Sequence, residues 1–265
     1  METESTNSQL ADDYSTVTEL PGSSVSREQL ARLFHRYHMA IPYVANKRVL
    51  EVACGAGLGL GYLSRSAGSI WGGDYTAKLL HVAQASYRGR IPLLRLDAHS
   101  LPIRGQSFDV VIFYEAIYYL AHPEEFIEGV RRVLRENGVF LIATVNKDWP
   151  EFNHSPFSTR YFSVPELRGI LQNHGFRVEC FGAFSSLPKG WKGKAITHIR
   201  KLAVSLHLIP KTMKGKEFLK RVFYGRLAQL KGEIEEGISE YFPPVPIPCD
   251  APNFEYKVIY VVARI

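Results

Sequence analysis

The glycines and the acidic residues of one part of this chain have the spacing expected of a ligand-binding site. A turn with four glycines in seven positions, residues 55–61, follows the apolar run 49–53, and the acids Asp74, Asp97 and Glu115 each close a later predicted strand. Glycines let a backbone pass close to a ligand because no Cβ intervenes. A carboxylate at 74 can accept both hydroxyls of a ribose, and one at 97 can accept from an exocyclic adenine amine. This pattern predicts a site for an adenosine that carries no phosphates.

The glycine turn does not match the two common phosphate-binding loops. A dinucleotide fingerprint needs a third glycine, and Leu60 and Tyr62 stand at the two positions where it would fall. A P-loop needs a Gly-Lys-Ser or Gly-Lys-Thr triplet, which does not follow these glycines. A nicotinamide-dependent oxidoreductase is therefore disfavoured.

The residues around the acids alternate between strand and helix patterns. This alternation predicts a mostly parallel sheet with helices on both faces, and the terminal stretch FEYKVIYVVARI predicts a final antiparallel strand. In such a sheet the ligand binds beyond the carboxyl ends of the strands, where the glycine turn and the three acids fall. The predicted strands are 49–53, 69–73, 93–96, 108–114, 138–145 and 177–181, and the predicted helices are 26–41, 58–66, 77–86, 123–134 and 164–174.

Positive charge is concentrated in one segment. The net charge is +6, but residues 187–232 hold twelve Lys or Arg and one acid, so that segment is +11 and the remainder is −5. Apolar residues at helical spacing between Ile196 and Ile209 predict a mainly helical insertion before the last strand. Three roles stay open for it: a solvated surface, steering of an acidic substrate, and contact with an anionic membrane surface. Nucleic acid is not an expected partner, because no basic–aromatic pattern of a known module is visible.

We divide the chain into four parts: a mobile N-terminal tail (1–25), a core with the ligand site (26–186), the basic insertion (187–245) and the final strand (246–265). The start is polar and acidic, unlike a secretory signal, and the three cysteines show no metal-ligand spacing. No stretch approaches the ~18 apolar residues of a membrane span. These features predict a cytoplasmic protein with free thiols and no metal site, peripheral at a membrane if the insertion docks there.

The motifs, taken in order, resemble the class I S-adenosylmethionine-dependent methyltransferases over about residues 28–185. They read VLEVACGAG, GGDYTAKLL, LLRLDAHSLPIRGQSFDVVIFYEAIYYL and VRRVLRENGVFLIATVN. The resemblance implies an α/β, Rossmann-like fold: a seven-stranded, mostly parallel sheet whose last strand is reversed, with helices on both faces. It also implies S-adenosylmethionine as the cofactor.

The resemblance further implies roles for single residues. Gly55 and Gly57 would pass under the methionine part of the cofactor, Glu51 would help to orient its amino group, Asp74 would bind the ribose, and residues 97–98 would bind the adenine. The other residues expected at the cofactor are Ala53, Tyr75, Ala98, Glu115 and Ala116.

The implied reaction is methyl transfer, and its acceptor is open. We expect the acceptor to be a small molecule or a glycan, and one alternative is an acceptor linked to a lipid. We favour O-methylation. The stretch from Pro21 to Gly55 resembles members linked to polysaccharide and cell-envelope glycan pathways. A hydroxyl acceptor calls for a base, and the candidate catalytic residues are His154, Tyr118 and Tyr119. The alternative is a non-catalytic binding or scaffold protein that keeps the fold.

Overall fold

The computed structural model describes residues 14–186 and 227–265, and in these ranges strands and helices alternate as the sequence predicts. Short 3₁₀ turns lie at Tyr14–Thr16 and Ile117–Tyr119. The helices are α1 (Arg27–Val44), α2 (Leu60–Ser64), α3 (Ala77–Tyr87), α4 (Pro123–Val133) and α5 (Val164–Asn173). The strands are β1 (Ser24–Val25), β2 (Arg48–Val52), β3 (Ser69–Asp74), β4 (Leu93–Arg95), β5 (Phe108–Tyr114), β6 (Leu134–Val145), β7 (Arg177–Ser185), β8 (Ala228–Gln229), β9 (Val245–Ile247) and β10 (Tyr256–Arg264).

Eight of the described strands form the central sheet, in the order β4–β3–β2–β5–β6–β10–β7–β9. The neighbours from β4 to β6 pair in parallel, whereas β10 is antiparallel to both β6 and β7. The chain runs outward in opposite directions from β2 and β5, so the switch point at which such sheets bind ligands lies between these two strands. The predicted α/β fold with a reversed last strand is confirmed.

The eighth strand, β9, is an addition at the sheet edge that the sequence analysis did not predict. It pairs with β7, with Val245 opposite Gly182. Pro246 lies in the middle of β9, and proline, which has no N–H to donate, is tolerated in edge strands. The Pro-rich stretch before the last strand thus extends the sheet rather than only connecting to it.

Helix α1 begins where the sequence predicts and continues three residues beyond the predicted end, to Val44. Its start is a capping box: the Ser26 hydroxyl accepts from the Gln29 backbone N–H at 3.1 Å, and the Gln29 side chain accepts from the Ser26 N–H at 2.9 Å. Its apolar face, which includes buried Phe34 and Tyr37, packs on the sheet near β5 and β6. This places the other side chains of α1 above the switch point.

Residues 14–25, which we predicted to belong to a mobile tail, contact the core. The Tyr14 backbone N–H donates to the Thr76 hydroxyl at 3.3 Å, and β1 pairs antiparallel with β8. The predicted helical insertion falls mainly on residues 187–226, which lie outside the described residues. Its described part, 227–245, contains β8 and turns instead of a helix. Glycine and proline in this part disfavour a helix.

The core lies in two layers, one on each face of the sheet, because successive residues of a strand point to opposite faces. Val49 packs in one layer and Leu50 in the other, and both are fully buried. Cys54 is a buried free thiol. None of the described helices has the length and apolar character needed to cross a membrane.

Candidate functional site

A cavity of about 560 Å³ opens at the carboxyl ends of the central strands, on the switch point. Its walls come from the glycine turn after β2, the ends of β3 and β4, the turn after β5, helix α1 and residues 14–19. Eight of the ten residues predicted at the cofactor line it: Ala53, Gly55, Asp74, Tyr75, Asp97, Ala98, Glu115 and Ala116. The other two, Glu51 and Gly57, are not part of its wall.

The turn after β2 has the left-handed backbone that its glycines allow. Gly55 has φ +57° and Gly57 has φ +76°, and between β2 and Gly55 the non-glycine Ala53 also has φ +57°. Non-glycine residues held in this region store strain that is common at binding sites. Gly57 points away from the cavity, since a Cβ there would meet Ala83 and Tyr87 of α3 at 3.0 Å. It therefore fixes the shape of the turn.

Asp74 connects the end of β3 to the glycine turn. Its carboxylate accepts from the backbone N–H groups of Gly55 and Thr76, each at 2.8 Å. Burial raises the pKa of the Asp74 carboxyl, and the N–H groups of Thr76 and Gly55 oppose that rise. Because a carboxylate offers about four acceptor positions, Asp74 keeps capacity for hydroxyl donors from a ligand.

Glu51 lies in β2, just before the glycine turn, and is 1% exposed. Its Oε1 accepts from the Tyr37 hydroxyl of α1 at 2.6 Å, whereas its buried Oε2 has no hydrogen-bond partner in the described structure. Burial raises the pKa of the Glu51 carboxyl to about 7, against the lowering effects of Tyr37 and Arg36. A buried carboxylate oxygen without a donor is costly, so this position suits a ligand that supplies N–H donors.

Asp97 stands at the outer part of the cavity, after β4. Its Oδ1 accepts from the backbone N–H of His99 and contacts the His99 imidazole Nδ1, both at 2.9 Å. The Asp97 side chain is 48% exposed, in contrast to buried Asp74. It thus offers an acceptor at the rim, facing solvent and cavity.

Glu115 follows β5 directly and also has a left-handed backbone, with φ +53°. Its backbone N–H donates to the Ala143 carbonyl at 2.7 Å, which fixes the turn to β6. Its Oε2 accepts from the Tyr118 hydroxyl at 3.2 Å. Burial raises the pKa of the Glu115 carboxyl, and the nearby Arg36 and Arg32 lower it.

Comparison with known proteins identifies the segment that carries this site. Residues 50–142, from β2 to β6, match the methyltransferase domain family. This chain carries a class I S-adenosylmethionine-dependent methyltransferase domain. The cofactor of this family is S-adenosylmethionine.

The methyltransferase domain has relatives among curated and solved proteins. A probable S-adenosylmethionine-dependent methyltransferase of Mycolicibacterium smegmatis is 33% identical over 155 residues, 56% of each chain. A phthiotriol/phenolphthiotriol dimycocerosates methyltransferase of Mycobacterium tuberculosis is 38% identical over 156 residues, 53% of this chain and 56% of that one. The chain therefore spans about half the length of the curated relatives it matches. A methyltransferase structure from Archaeoglobus fulgidus, with 17% identity and TM-score 0.56 over 91% of this chain and 95% of that one, shows the same fold.

Of the predicted catalytic residues of the methyltransferase domain, two reach the cavity. Tyr118 and Tyr119 line it, and their rings are 4.6 Å apart. Tyr119 also contacts Tyr14, at 5.3 Å between ring centroids. Burial raises the pKa of Tyr119 to about 12 and that of Tyr118 well above its ordinary value. His154 is exposed and does not line the cavity; it touches Tyr161, which in turn stacks on Tyr118.

The structure adds cavity residues that the sequence analysis missed. Arg36 of α1 pairs with Glu19 at 2.6 Å, and its side chain is only 14% exposed. Arg32, one turn earlier on α1, also lines the cavity. Thr18 covers the glycine turn so closely that a Cβ on Gly55 would lie 2.8 Å from its methyl group. The one signal in the sequence was the four-residue spacing of the two arginines, which puts them on one face of α1.

Proposed function

We propose that this protein transfers a methyl group from S-adenosylmethionine to a hydroxyl group of a small-molecule or glycan acceptor, in the favoured version one attached to a lipid. The observation that carries the proposal is a pair of buried carboxylates: Asp74 in the cavity wall, and Glu51 next to it, hydrogen-bonded to the lining residue Tyr37. Asp74 keeps acceptor capacity beside Gly55, and Glu51 has an oxygen that lacks a donor. Both positions suit a ligand with hydroxyl and ammonium donors and no phosphates.

The residues present fit the cofactor part by part. We assign the ribose hydroxyls to Asp74 and the adenine amine to Asp97. We assign the ammonium group to Glu51, and we expect the methionine part to pass close to Gly55. Ala53, Tyr75, Ala98 and Ala116 would complete the contacts, since all four line the cavity. Gly57 has a supporting role in this assignment, because the Tyr87 hydroxyl donates to its carbonyl at 2.5 Å and accepts from the Gly61 N–H at 2.9 Å.

The aromatic part of the cavity wall and the names of several relatives both support the proposal that the acceptor is an apolar molecule with a hydroxyl group. Tyr14, Tyr118 and Tyr119 give that wall an aromatic surface. Phe157, 57% exposed, lies on the loop whose Thr159 N–H donates to the Tyr118 carbonyl at 2.8 Å. Several relatives are named for a lipid, phthiotriol dimycocerosates, and a triol carries hydroxyl groups.

Methyl transfer mainly requires that the cofactor and the acceptor are aligned and that water is excluded. The cofactor, when bound, supplies an electrophilic methyl group on a sulfonium. The chain would hold it from the β3 side through Asp74 and cover it with residues 14–19, while the acceptor enters along the aromatic wall. The prediction that residues 187–232 contact an acidic substrate or an anionic membrane concerns mostly residues outside the described ranges and stays a prediction.

Transfer of a labelled methyl group tests the proposed activity. The protein is incubated with methyl-labelled S-adenosylmethionine and, in parallel, with a long-chain vicinal diol, the matching alkane and a neutral oligosaccharide. We expect label in the diol or the oligosaccharide, none in the alkane, and loss of transfer in Asp74→Ala. Binding of the labelled cofactor without transfer to any hydroxyl compound would favour the non-catalytic binding protein instead.

A further inference from the structure

Glu115 is placed by strand register next to the glycine turn. Strands β2 and β5 are parallel neighbours, with Val52 opposite Phe113. Both strands end at or just after this pair, and Cys54, which follows the first strand, and Glu115, which follows the second, line the same cavity at the switch point. The left-handed backbone of Glu115 and its hydrogen bond to Ala143 turn the chain here, and its side chain contributes to the cavity wall.

The arginines near Glu115 already pair with other carboxylates, one of which, Glu28, also pairs with Lys257 at 3.0 Å. Arg36 pairs with Glu19 at 2.6 Å, and Arg32 pairs with Glu28 at 2.5 Å. Tyr118 is the hydrogen-bond donor that the described structure gives the Glu115 carboxylate. Glu115 in turn raises the pKa of two phenols, Tyr119 beside it and Tyr260 of β10. Among the described residues, Glu115 forms no ion pair with a cation, and the same holds for Asp74 in this wall.

The other candidate bases are less suited to take a proton. The phenols Tyr118 and Tyr119 have raised pKa values and are protonated at neutral pH. His154 does not line the cavity. Asp74 accepts from two backbone N–H groups and is assigned to the ribose in the proposed function, and Glu51 is not part of the cavity wall.

We propose that Glu115 is the general base of this site, which receives the proton of an acceptor hydroxyl while Tyr118 holds its carboxylate in position. The inference rests on the proposed function. In the step, the acceptor oxygen forms a bond to the methyl carbon, and the carbon–sulfur bond breaks with its electron pair going to sulfur. The hydroxyl proton passes to the Glu115 carboxylate and later to solvent. A carboxylate that is partly desolvated and accepts one hydrogen bond, from Tyr118 at 3.2 Å, is suited to accept a proton from the acceptor hydroxyl.

Proton release on ligand binding tests this placement without an acceptor. S-adenosylmethionine and S-adenosylhomocysteine share the ammonium and differ in the sulfonium charge. A carboxylate beside the reacting methyl therefore responds to the first ligand only, whereas Glu51 responds to both. Calorimetry at pH 6 to 8 in buffers of different ionisation enthalpy measures the protons released.

For the wild type we expect S-adenosylmethionine to release more protons than S-adenosylhomocysteine, because burial raises the pKa of the Glu115 carboxyl and a nearby sulfonium charge lowers it. The difference should vanish in Glu115→Gln and persist in Glu51→Gln and in Glu125→Gln, an exposed control on α4. In Tyr118→Phe the difference in proton release should move to higher pH. The Tyr118 hydrogen bond lowers the pKa of Glu115 in the wild type, so its loss raises that pKa.

The outcomes separate the two proposals. Equal proton release by both ligands, or a difference that survives Glu115→Gln, overturns the role of Glu115 and leaves the proposed function standing. Failure of the wild type to bind either ligand overturns the proposed function itself. On the acceptor that takes label in the transfer experiment, Glu115→Gln should lower kcat on the order of 10²–10⁴-fold, a larger factor than its effect on the KM for the cofactor. Transfer within a few-fold of wild type also overturns the inference.

Discussion

Substituting Glu51 by glutamine should make the protein more stable above neutral pH and weaken its cofactor binding. The carboxyl is 1% exposed, its Oε2 has no partner, and burial raises its pKa from the ordinary 4.5 to about 7. The folded protein therefore holds a proton that the unfolded chain releases. The stability this proton contributes is full below pH 4.5, falls as the pH rises, and is lost above pH 7.

The size of the effect follows from the same pKa values. One pKa unit corresponds to ~1.4 kcal/mol, so the wild type loses about 3 kcal/mol of its free energy of unfolding across the whole window, most of it between pH 5 and pH 8. Glu51→Gln cannot titrate and should not show this loss. Any constant cost of burying the amide cancels when the two pH values are compared.

The assay is urea denaturation of wild type and Glu51→Gln at pH 5, 6, 7 and 8. We expect the stability of the variant relative to wild type to rise by about 2 to 3 kcal/mol over this range, while its affinity for S-adenosylmethionine falls on the order of tenfold or more because the ammonium loses a charged partner. A relative stability that is flat with pH would refute the reasoning that Glu51 is buried with a proton.

Other substitutions around the same turn give further expectations. Gly55→Ala should destabilise the fold by about 1–2 kcal/mol in urea denaturation, because an alanine at φ +57° is strained and its Cβ meets the Thr18 methyl. Adding Thr18→Ser, which removes that methyl and keeps the hydroxyl bond to the Tyr14 carbonyl, should restore part of the loss, and no recovery would show that the clash is unimportant. Tyr37→Phe leaves Glu51 without its hydrogen bond and should cost about 1–3 kcal/mol at pH 8 but less at pH 5, where the carboxyl is protonated; an equal loss at both pH values would contradict this.

The fold and the cofactor half of the site were open to prediction because their signals are local. Glycines that follow an apolar run, and acids that close the next strands, fall at one edge of a parallel sheet whatever the details of packing. This is why Asp74 and Asp97 are found in the cavity wall. Gly57 shows the limit of this reasoning, since spacing alone does not distinguish a glycine that faces the ligand from one that packs against α3.

The acceptor half depends on contacts between distant parts of the chain. Arg36 reaches the cavity because α1 folds back over β5 and β6, and Glu19 meets it from a stretch that the sequence presents as a polar tail. The left-handed backbone of Glu115 has no signal of its own, because glutamate seldom adopts it and no glycine marks the turn. His154 was an attractive base from its place after the fifth predicted strand, yet its loop directs it to the surface.

Calorimetric titration of wild type and Asp74→Ala with S-adenosylmethionine and S-adenosylhomocysteine tests the central claim most directly, with Asp250→Ala as an exposed control. Asp74→Ala leaves the Gly55 and Thr76 N–H groups without their acceptor, so thermal denaturation is used to check that this variant still folds. If it does not fold, Asp74→Asn replaces it in the titration. We predict that wild type and Asp250→Ala bind both ligands and that the Asp74 variant loses on the order of 100-fold in affinity, the value of two hydrogen bonds to a charged group. Equal binding by the folded Asp74 variant, or no binding by wild type, would contradict the account.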